Sequence, residues 1–459
     1  MEFYGRDDEK RRIKTMLARK GQQVGLVLGR RRVGKSALIK QCLRESGLPS
    51  IFYECKQTAE ENNVASLAEI ISDTYHFPPV AYPNIEKALA FFFQKALDGP
   101  LVLVLDEYPY LHKNISGMDS ILQSLIDEYA ESSQLKLILC GSYIDVMRSL
   151  LARDNPLFGR VDLTLDLKPM DYYDSARFYP SFSDEDKVRL FSVFGGIPYY
   201  NQFIDESFTV RENIMELIAA PGARFENEVD MHLRSEIAKL ENANEAFEAL
   251  ARGFSKFSDI LSQSHVSSGP ALVNVLEKLM SMGLVTKQAP INDERNRKKS
   301  HYRISDQLSL FYFKYVFRYG SQRNVMDPEL FFDRYIAEDF DAHFVPFAFE
   351  EVCRQFLIRQ NKRGGLKQPF EKIGRYYYDD PVAKANGEFD IVTEDPRGYA
   401  FYEAKFRSTP VTDAVIAEEI AQVERTGLSC YRYGFISRSG FAAIPSEHVE
   451  LIDLSQLYK

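Results

Sequence analysis

The sequence predicts an α/β protein with a parallel β-sheet in its first half, a helical middle and a second mixed region of helix and strand. Three observations lead there. Short apolar runs alternate with longer amphipathic stretches over residues 24–200, the pattern of strands joined by helices in a parallel sheet. A Gly-rich loop with a terminal Lys-Ser joins the first run to a helical pattern. The texture then turns mostly helical from about 205 to 320 and mixed again from about 340 to 455. At roughly 150 residues per domain, 459 residues predict about three domains. We place them at 1–205, 206–325 and 326–459, the last boundary falling in a stretch near 320–340 that holds Gly, Ser, Asn, Asp and Pro.

Composition removes several classes. Apolar residues are 45% and charged residues 27%, which excludes a disordered or collagen-like chain. The longest aliphatic run is Leu101–Leu105, far below the roughly 18 apolar residues of a membrane helix, so no membrane partner is expected. The first residues hold no apolar core of a secretory signal. Cys42, Cys55, Cys140, Cys353 and Cys430 are scattered without a C-x-x-C pair. That usage fits a reducing, cytoplasmic setting and argues against a cysteine zinc site. The net charge of −9 argues, taken globally, against a general nucleic-acid coat protein.

The predicted strands are Val24–Leu28, Ile51–Cys55, Leu101–Leu105, Leu135–Cys140 and Val161–Leu167. The first leads into Gly29-Arg30-Arg31-Arg32-Val33-Gly34-Lys35-Ser36, a full G-x-x-x-x-G-K-S followed by a helical pattern. The glycines let the backbone curl so that its N–H groups face phosphates, and the helix adds its positive N-terminus. Lys35 is placed to reach the β- and γ-phosphates of ATP and the Ser36 hydroxyl to ligate Mg²⁺. The third strand ends in Asp106-Glu107. Asp106, at the carboxyl end of a strand buried on both faces, would hold the Mg²⁺ through water, and Glu107 would orient and polarise the attacking water. An adjacent acid that can serve as base for water marks an ATP hydrolase better than a kinase. Ser142, closing the fourth strand, is a candidate for the γ-phosphate or the water. Arg160, ahead of the fifth, is a candidate γ-phosphate sensor within its own subunit or a neighbour's, the latter requiring a homo-oligomer.

These residues resemble the archaeal and bacterial P-loop ATPases of the AAA+ and STAND superfamily. Phe3-Tyr4-Gly5-Arg6 with Glu9 looks like the F-x-G-R-x-x-E box that precedes the loop there. Gly195-Gly196-Ile197-Pro198-Tyr199-Tyr200 resembles the G-G-x-P-x-Y motif that follows the sheet. The resemblance, over about residues 1–205, implies that Gly5, Arg6 and Pro198 flank the adenine. It also implies a sheet of the AAA+ type, with a strand inserted between the Asp106-Glu107 strand and the loop strand.

The helical middle suggests a winged helix-turn-helix. Helices are expected at Ala243–Ala251, Lys256–Gln263 and Pro270–Met282, the last with Leu272, Val275, Leu276 and Leu279 on one face and Gly283 as its cap. Wing strands are expected at Leu284–Lys287 and His301–Ile304. Thr286 to Arg303 carries six Lys/Arg against two acids. DNA readers lay such a helix in the major groove and such a wing on phosphates; winged helices also serve as protein-interaction modules.

In the C-terminal region, Gly387–Val392 and Tyr399–Phe406 read as strands joined by a turn at Glu394–Gly398. A hairpin symmetric about Pro396-Arg397 sets Asp390 opposite Glu403, with Lys405 on the same face. Two carboxylates about 5 Å apart repel unless a cation lies between them, and Mg²⁺ is the natural choice. This arrangement resembles the PD-(D/E)XK nuclease superfamily, and most closely the variant fused to such ATPases, DUF234. The resemblance implies a restriction-endonuclease-like α/β domain over roughly 325–455. It also implies a third acid on the first helix, for which Glu350 is the candidate metal ligand beside Asp390 and Glu403, with Lys405 helping to activate water. Val352 to Tyr376, with seven Lys/Arg against one acid, lies where a phosphate backbone would pass. Two functions follow: an ATP-driven, nuclease-like protein acting on nucleic acid, DNA before RNA, or a nucleotide-dependent signalling switch whose C-terminal domain binds without cutting.

Overall fold

The computed structural model describes residues 3–229, 243–294, 296, 299–380 and 385–459. The chain divides into two compact units, residues 1–170 with 197–199 and residues 171–196 with 200–459.

The first unit is built on a five-stranded parallel sheet, β1 (Gln23–Leu28), β2 (Ser50–Glu54), β3 (Leu101–Asp106), β4 (Leu135–Gly141) and β5 (Leu163–Asp166), in the order β2-β3-β4-β1-β5. All five expected strands form. β3 and β4 are buried along their whole length, because helices cover both faces of a parallel sheet. Their side chains share a core with Phe92 and Phe93 of the helix Ile85–Lys95. β4 lies between β1 and β3, the inserted strand that the resemblance implied. Leu28 pairs with Gly141, and Leu105 with Leu139, so the loop after β1, the acids after β3 and Ser142 emerge from one edge of the sheet.

The second unit opens its middle region with helices Ala243–Ala251, Phe257–Gln263 and Gly269–Ser281. In the third, Ser268 caps the start by accepting from the Ala271 N–H, and Leu272, Val275, Leu276 and Leu279 form the buried face. An antiparallel pair follows, β6 (Val285–Gln288) and β7 (His301–Ile304). Of the basic stretch between them, Arg295, Arg297 and Lys298 lie outside the described residues.

The Gly- and Pro-containing stretch near 320–340, where a domain boundary was expected, is helical. Gly320–Val325, Pro328–Phe332 and the π-helical turns Asp333–Ala337 and Phe340–Phe344 lead into the long helix Val345–Arg363. The cause is a set of anchors that local composition hides. Arg323 is buried and donates to the carbonyls of Ala219 and Ala220 while pairing with Glu226, and Asp327 caps the Pro328 helix.

The C-terminal sheet comprises β8 (Lys372–Asp380), β9 (Ala385–Asp395), β10 (Gly398–Lys405), β12 (Cys430–Ser437) and β14 (Val449–Asp453), in the order β14-β12-β10-β9-β8. β8, β9 and β10 are antiparallel neighbours, whereas β10, β12 and β14 run parallel. A small parallel pair, β11 (Val411–Thr412) with β13 (Phe441–Ala442), stands beside them. Tyr402 pairs with Ile391 across the hairpin, a register whose next step sets Glu403 against Asp390.

Candidate nucleotide site and C-terminal acidic cluster

The first site is the loop between β1 and the helix Lys35–Ser46. Gly34 sits at φ 96°, a conformation open to glycine, so the chain turns directly into the helix. Lys35 is 6% exposed; its Nζ folds back to donate to the carbonyls of Gly29 (2.8 Å) and Arg30 (3.1 Å). Burial pushes its pKa down, opposed by the charges of Asp106 and Glu107. Ser36 Oγ donates to Asp106 Oδ2 at 2.6 Å, joining the two residues expected to hold Mg²⁺. Both are hard oxygen donors at the edge of the phosphate loop, so this pair fits a hydrated Mg²⁺ ion.

Glu107 and Ser142 meet as well. Ser142 Oγ donates to both Glu107 carboxylate oxygens, at 3.0 and 2.9 Å, and the Ser142 N–H lies 3.2 Å from Oε2. The serine expected at the γ-phosphate or the water therefore holds the acid expected to polarise that water. Glu107 has φ 52°, a strained backbone for a residue with a side chain.

The flanking motifs close on the same loop. Arg6, also left-handed at φ 61°, is buried; it donates to the Val33 carbonyl at 3.2 Å and pairs with Glu9. Gly5 precedes it with φ 63°. Pro198 packs beside Gly34, where an added Cβ would lie 3.7 Å from the Pro198 ring. Arg32 is exposed and stacks on Tyr199, 4.2 Å from the ring centroid, while Arg30 is buried and Arg31 exposed. The Tyr199 stack was missed by sequence reasoning, although Tyr199 lies inside the quoted motif. Arg160 is bound elsewhere: its guanidinium makes two 2.7 Å bonds to Asp127 and donates to the carbonyls of Pro156 and Phe158.

The second site lies on the C-terminal sheet. Arg375, on β8, is 12% exposed at its side chain and contacts three carboxylates, those of Glu350 on the helix Val345–Arg363 and of Glu388 and Asp390 on β9. Lys405 joins Glu403 to Glu419 at 2.7 Å each. Burial raises the pKa of Glu350 and of Asp390; the charge of Asp390 adds to the rise at Glu350, that of Glu388 adds to it at both, and Arg375 opposes it at both. Burial likewise pushes Glu403 to about 7, against the pull of Lys405.

The expected single metal set of Glu350, Asp390 and Glu403 is not what the side chains form. Glu350 and Asp390 meet on a guanidinium and Glu403 on an ammonium. Among the described residues, no group of three or more His, Cys, Asp or Glu side chains is arranged to hold a metal ion. The physical reason is that two cations divide the set: Arg375 supplies the positive charge to Glu350 and Asp390, and Lys405 supplies it to Glu403. Sequence reasoning missed this division because it counted Arg375 in the basic stretch 352–376. Four of that stretch's seven bases are ion-paired in the fold: Arg354 with Glu351, Arg359 with Asp171, Lys372 with Glu294 and Glu394, and Arg375 as above.

Two family models match separate parts of the chain. Residues 3–201 match the family model described as an ATPase domain predominantly from Archaea. Residues 312–420 match DUF234, described as archaeal and bacterial proteins of unknown function. An uncharacterized protein of Methanocaldococcus jannaschii is 27% identical over 411 residues, covering 88% of each chain. A Walker-type ATPase of Pyrococcus abyssi aligns with a TM-score of 0.52 at 19% identity, over 68% of this chain and 96% of its own. The ORC2 protein of Aeropyrum pernix aligns at 0.48 and 14% identity, over 68% of this chain and 92% of its own. No helix among the described residues is long and apolar enough to cross a membrane. The chain is thus similar to the archaeal ATPase domain over residues 3–201 and to DUF234 over residues 312–420.

Proposed function

We propose that the protein binds and hydrolyses Mg-ATP and couples its nucleotide state to a nuclease-like C-terminal domain that acts on DNA. The observation that carries the hydrolase reading is the joined set Lys35, Ser36, Asp106, Glu107 and Ser142 at one edge of the β1–β5 sheet. ATP draws Lys35 Nζ off the Gly29 and Arg30 carbonyls and onto its β- and γ-phosphates, while the loop N–H groups from Arg30 to Ser36 receive the phosphate oxygens. Mg²⁺, held by Ser36 and Asp106, supplies charge neutralisation at the phosphates. Glu107, oriented by Ser142, accepts a hydrogen bond from the attacking water and takes its proton. Arg6, Pro198 and Tyr199 wall the loop on the base side. Glu107→Gln is expected to bind ATP normally and to lose turnover, and Lys35→Ala to lose binding; undiminished turnover in Glu107→Gln would remove Glu107 from its role.

In the second unit, the three helices and the β6–β7 pair support a winged-helix module, through which nucleotide state reaches the C-terminal domain. The opposed Asp390 and Glu403 with Lys405 support its nuclease-like build. A second reading, a nucleotide-dependent switch whose C-terminal domain binds without cutting, is favoured by one observation, the Arg375 guanidinium on Glu350 and Asp390. Plasmid and single-stranded substrates with Mg²⁺ or Mn²⁺, with and without ATP, separate the two: nicking that Lys405→Ala removes supports the first, and intact substrate under every condition supports the second.

A further inference from the structure

The acidic cluster is held by two cations from two different elements. Arg375 reaches it from β8 and Arg303 from β7, 3.6 Å from Glu388 and over the Phe347 ring at 5.0 Å. Ile291 and Asn292, which follow β6, hold the backbone at Arg375 and Tyr377. Ile291 N–H donates to the Arg375 carbonyl at 2.7 Å. Asn292 donates through Nδ2 to the Tyr377 carbonyl at 2.8 Å and accepts from the Tyr377 N–H at 3.3 Å. The segment thereby satisfies backbone groups on the open edge of β8, an edge strand of its sheet. The Ile291 side chain is buried with Tyr376, Phe389, Val392 and Phe401. His301 stacks on Tyr377 at 5.0 Å between centroids. The backbone is thus pinned at the Arg375 carbonyl and again two residues on, at Tyr377.

We infer that Arg375 is a built-in counter-cation in the place of a divalent ion between Glu350 and Asp390, latched there by the β6–β7 segment, so that the cluster takes a metal only once the guanidinium withdraws. The inference rests on the nuclease-like reading of this site. The chemistry is mutually exclusive. Mg²⁺ demands oxygen ligands at about 2.0–2.1 Å in near-octahedral array, and a guanidinium hydrogen-bonded to the same oxygens fills that space. An arginine stays charged at every working pH, so it neutralises the pair without a proton being gained or lost. Because Ile291 and Asn292 bond the edge of β8, release of those bonds is the event that would free the carboxylates.

Calorimetric titration of Mn²⁺ into the nucleotide-free full chain tests this, with Asp390→Asn marking the site. The wild type is expected to show no Asp390-dependent binding. Arg375→Gln is expected to gain one Asp390-dependent Mn²⁺ per chain, and Arg375→Gln with Asp390→Asn to lose it. Arg375→Lys keeps the charge and stays like wild type. Asn292→Ala, which removes both side-chain bonds to the Tyr377 backbone and so loosens the hold on Arg375, is expected to gain Asp390-dependent binding weaker than that of Arg375→Gln and serves if Arg375→Gln does not fold. Equal Asp390-dependent binding in wild type and Arg375→Gln overturns the latch and leaves the metal reading standing. No Asp390-dependent binding in folded Arg375→Gln and Asn292→Ala overturns both.

Discussion

Replacing Ser142 with Ala isolates the role of one hydroxyl. It removes the donor to both Glu107 oxygens and leaves the backbone N–H at 3.2 Å. A hydrogen bond to a charged group contributes about 1.5–3 kcal/mol. With a second donor retained, the lower part of that range applies, about 1.5–2 kcal/mol. The left-handed backbone of Glu107 does not by itself fix where the carboxylate points, so this loss falls on its orientation. At 1.36 kcal/mol per decade of rate, turnover is expected to fall roughly 10- to 30-fold. ATP affinity is expected to change less than about twofold, because Lys35, Ser36 and the loop N–H groups are untouched. Steady-state phosphate release, paired with equilibrium binding of a fluorescent ATP analogue, measures both. Unchanged turnover refutes the positioning role, and a parallel loss of affinity would put Ser142 on the phosphate instead.

Gly29→Ala is expected to destabilise the first unit by at least about 2 kcal/mol in urea titration, since the new Cβ would lie 2.5 Å from the Leu167 carbonyl on a backbone with φ 152°. Arg160→Ala breaks a solvent-facing pair with Asp127 and should cost at most about 1 kcal/mol. If Arg160 acts instead on ATP in a neighbouring subunit, wild-type specific activity rises with protein concentration and the variant loses that rise. Glu403 carries a pKa of about 7 in the fold against an ordinary 4.5, so the folded state keeps a proton that the unfolded chain releases between those values. Stability is therefore expected to fall as pH rises through that window, and Glu403→Gln to flatten that part of the profile. An identical profile in the variant would refute the assignment.

Strands buried on both faces are legible because they do not alternate: Leu101–Leu105 is a continuous apolar run, Leu135–Cys140 is interrupted only by Lys136, and both form. The loop residues are legible because phosphate binding demands Gly and Lys at fixed spacing. The hairpin register was recoverable from its turn, where Asp395 accepts from the Arg397 N–H and sets the pairing. β8 was harder to see. Its K-I-G-R-Y-Y-Y stretch mixes charge and aromatics because one face meets the acidic cluster and the other the core around Tyr376. Charge windows misled for a related reason. A window counts neighbours in sequence, whereas Arg359 finds its acid at Asp171 and Arg323 at Glu226, both far along the chain.

The division into two units has a consequence for how this architecture can be inherited. The chain crosses between them three times, after residues 170, 196 and 199, and the short return carries Ile197, Pro198 and Tyr199 back to the phosphate loop. A recombination event with one breakpoint at residue 170 would yield an ATPase fragment without that return. The loop would lose the proline beside Gly34 and the ring under Arg32. Exchange of C-terminal partners between such ATPases is therefore workable only downstream of Tyr199, with the segment 171–196 travelling alongside the ATPase even though it packs in the other unit.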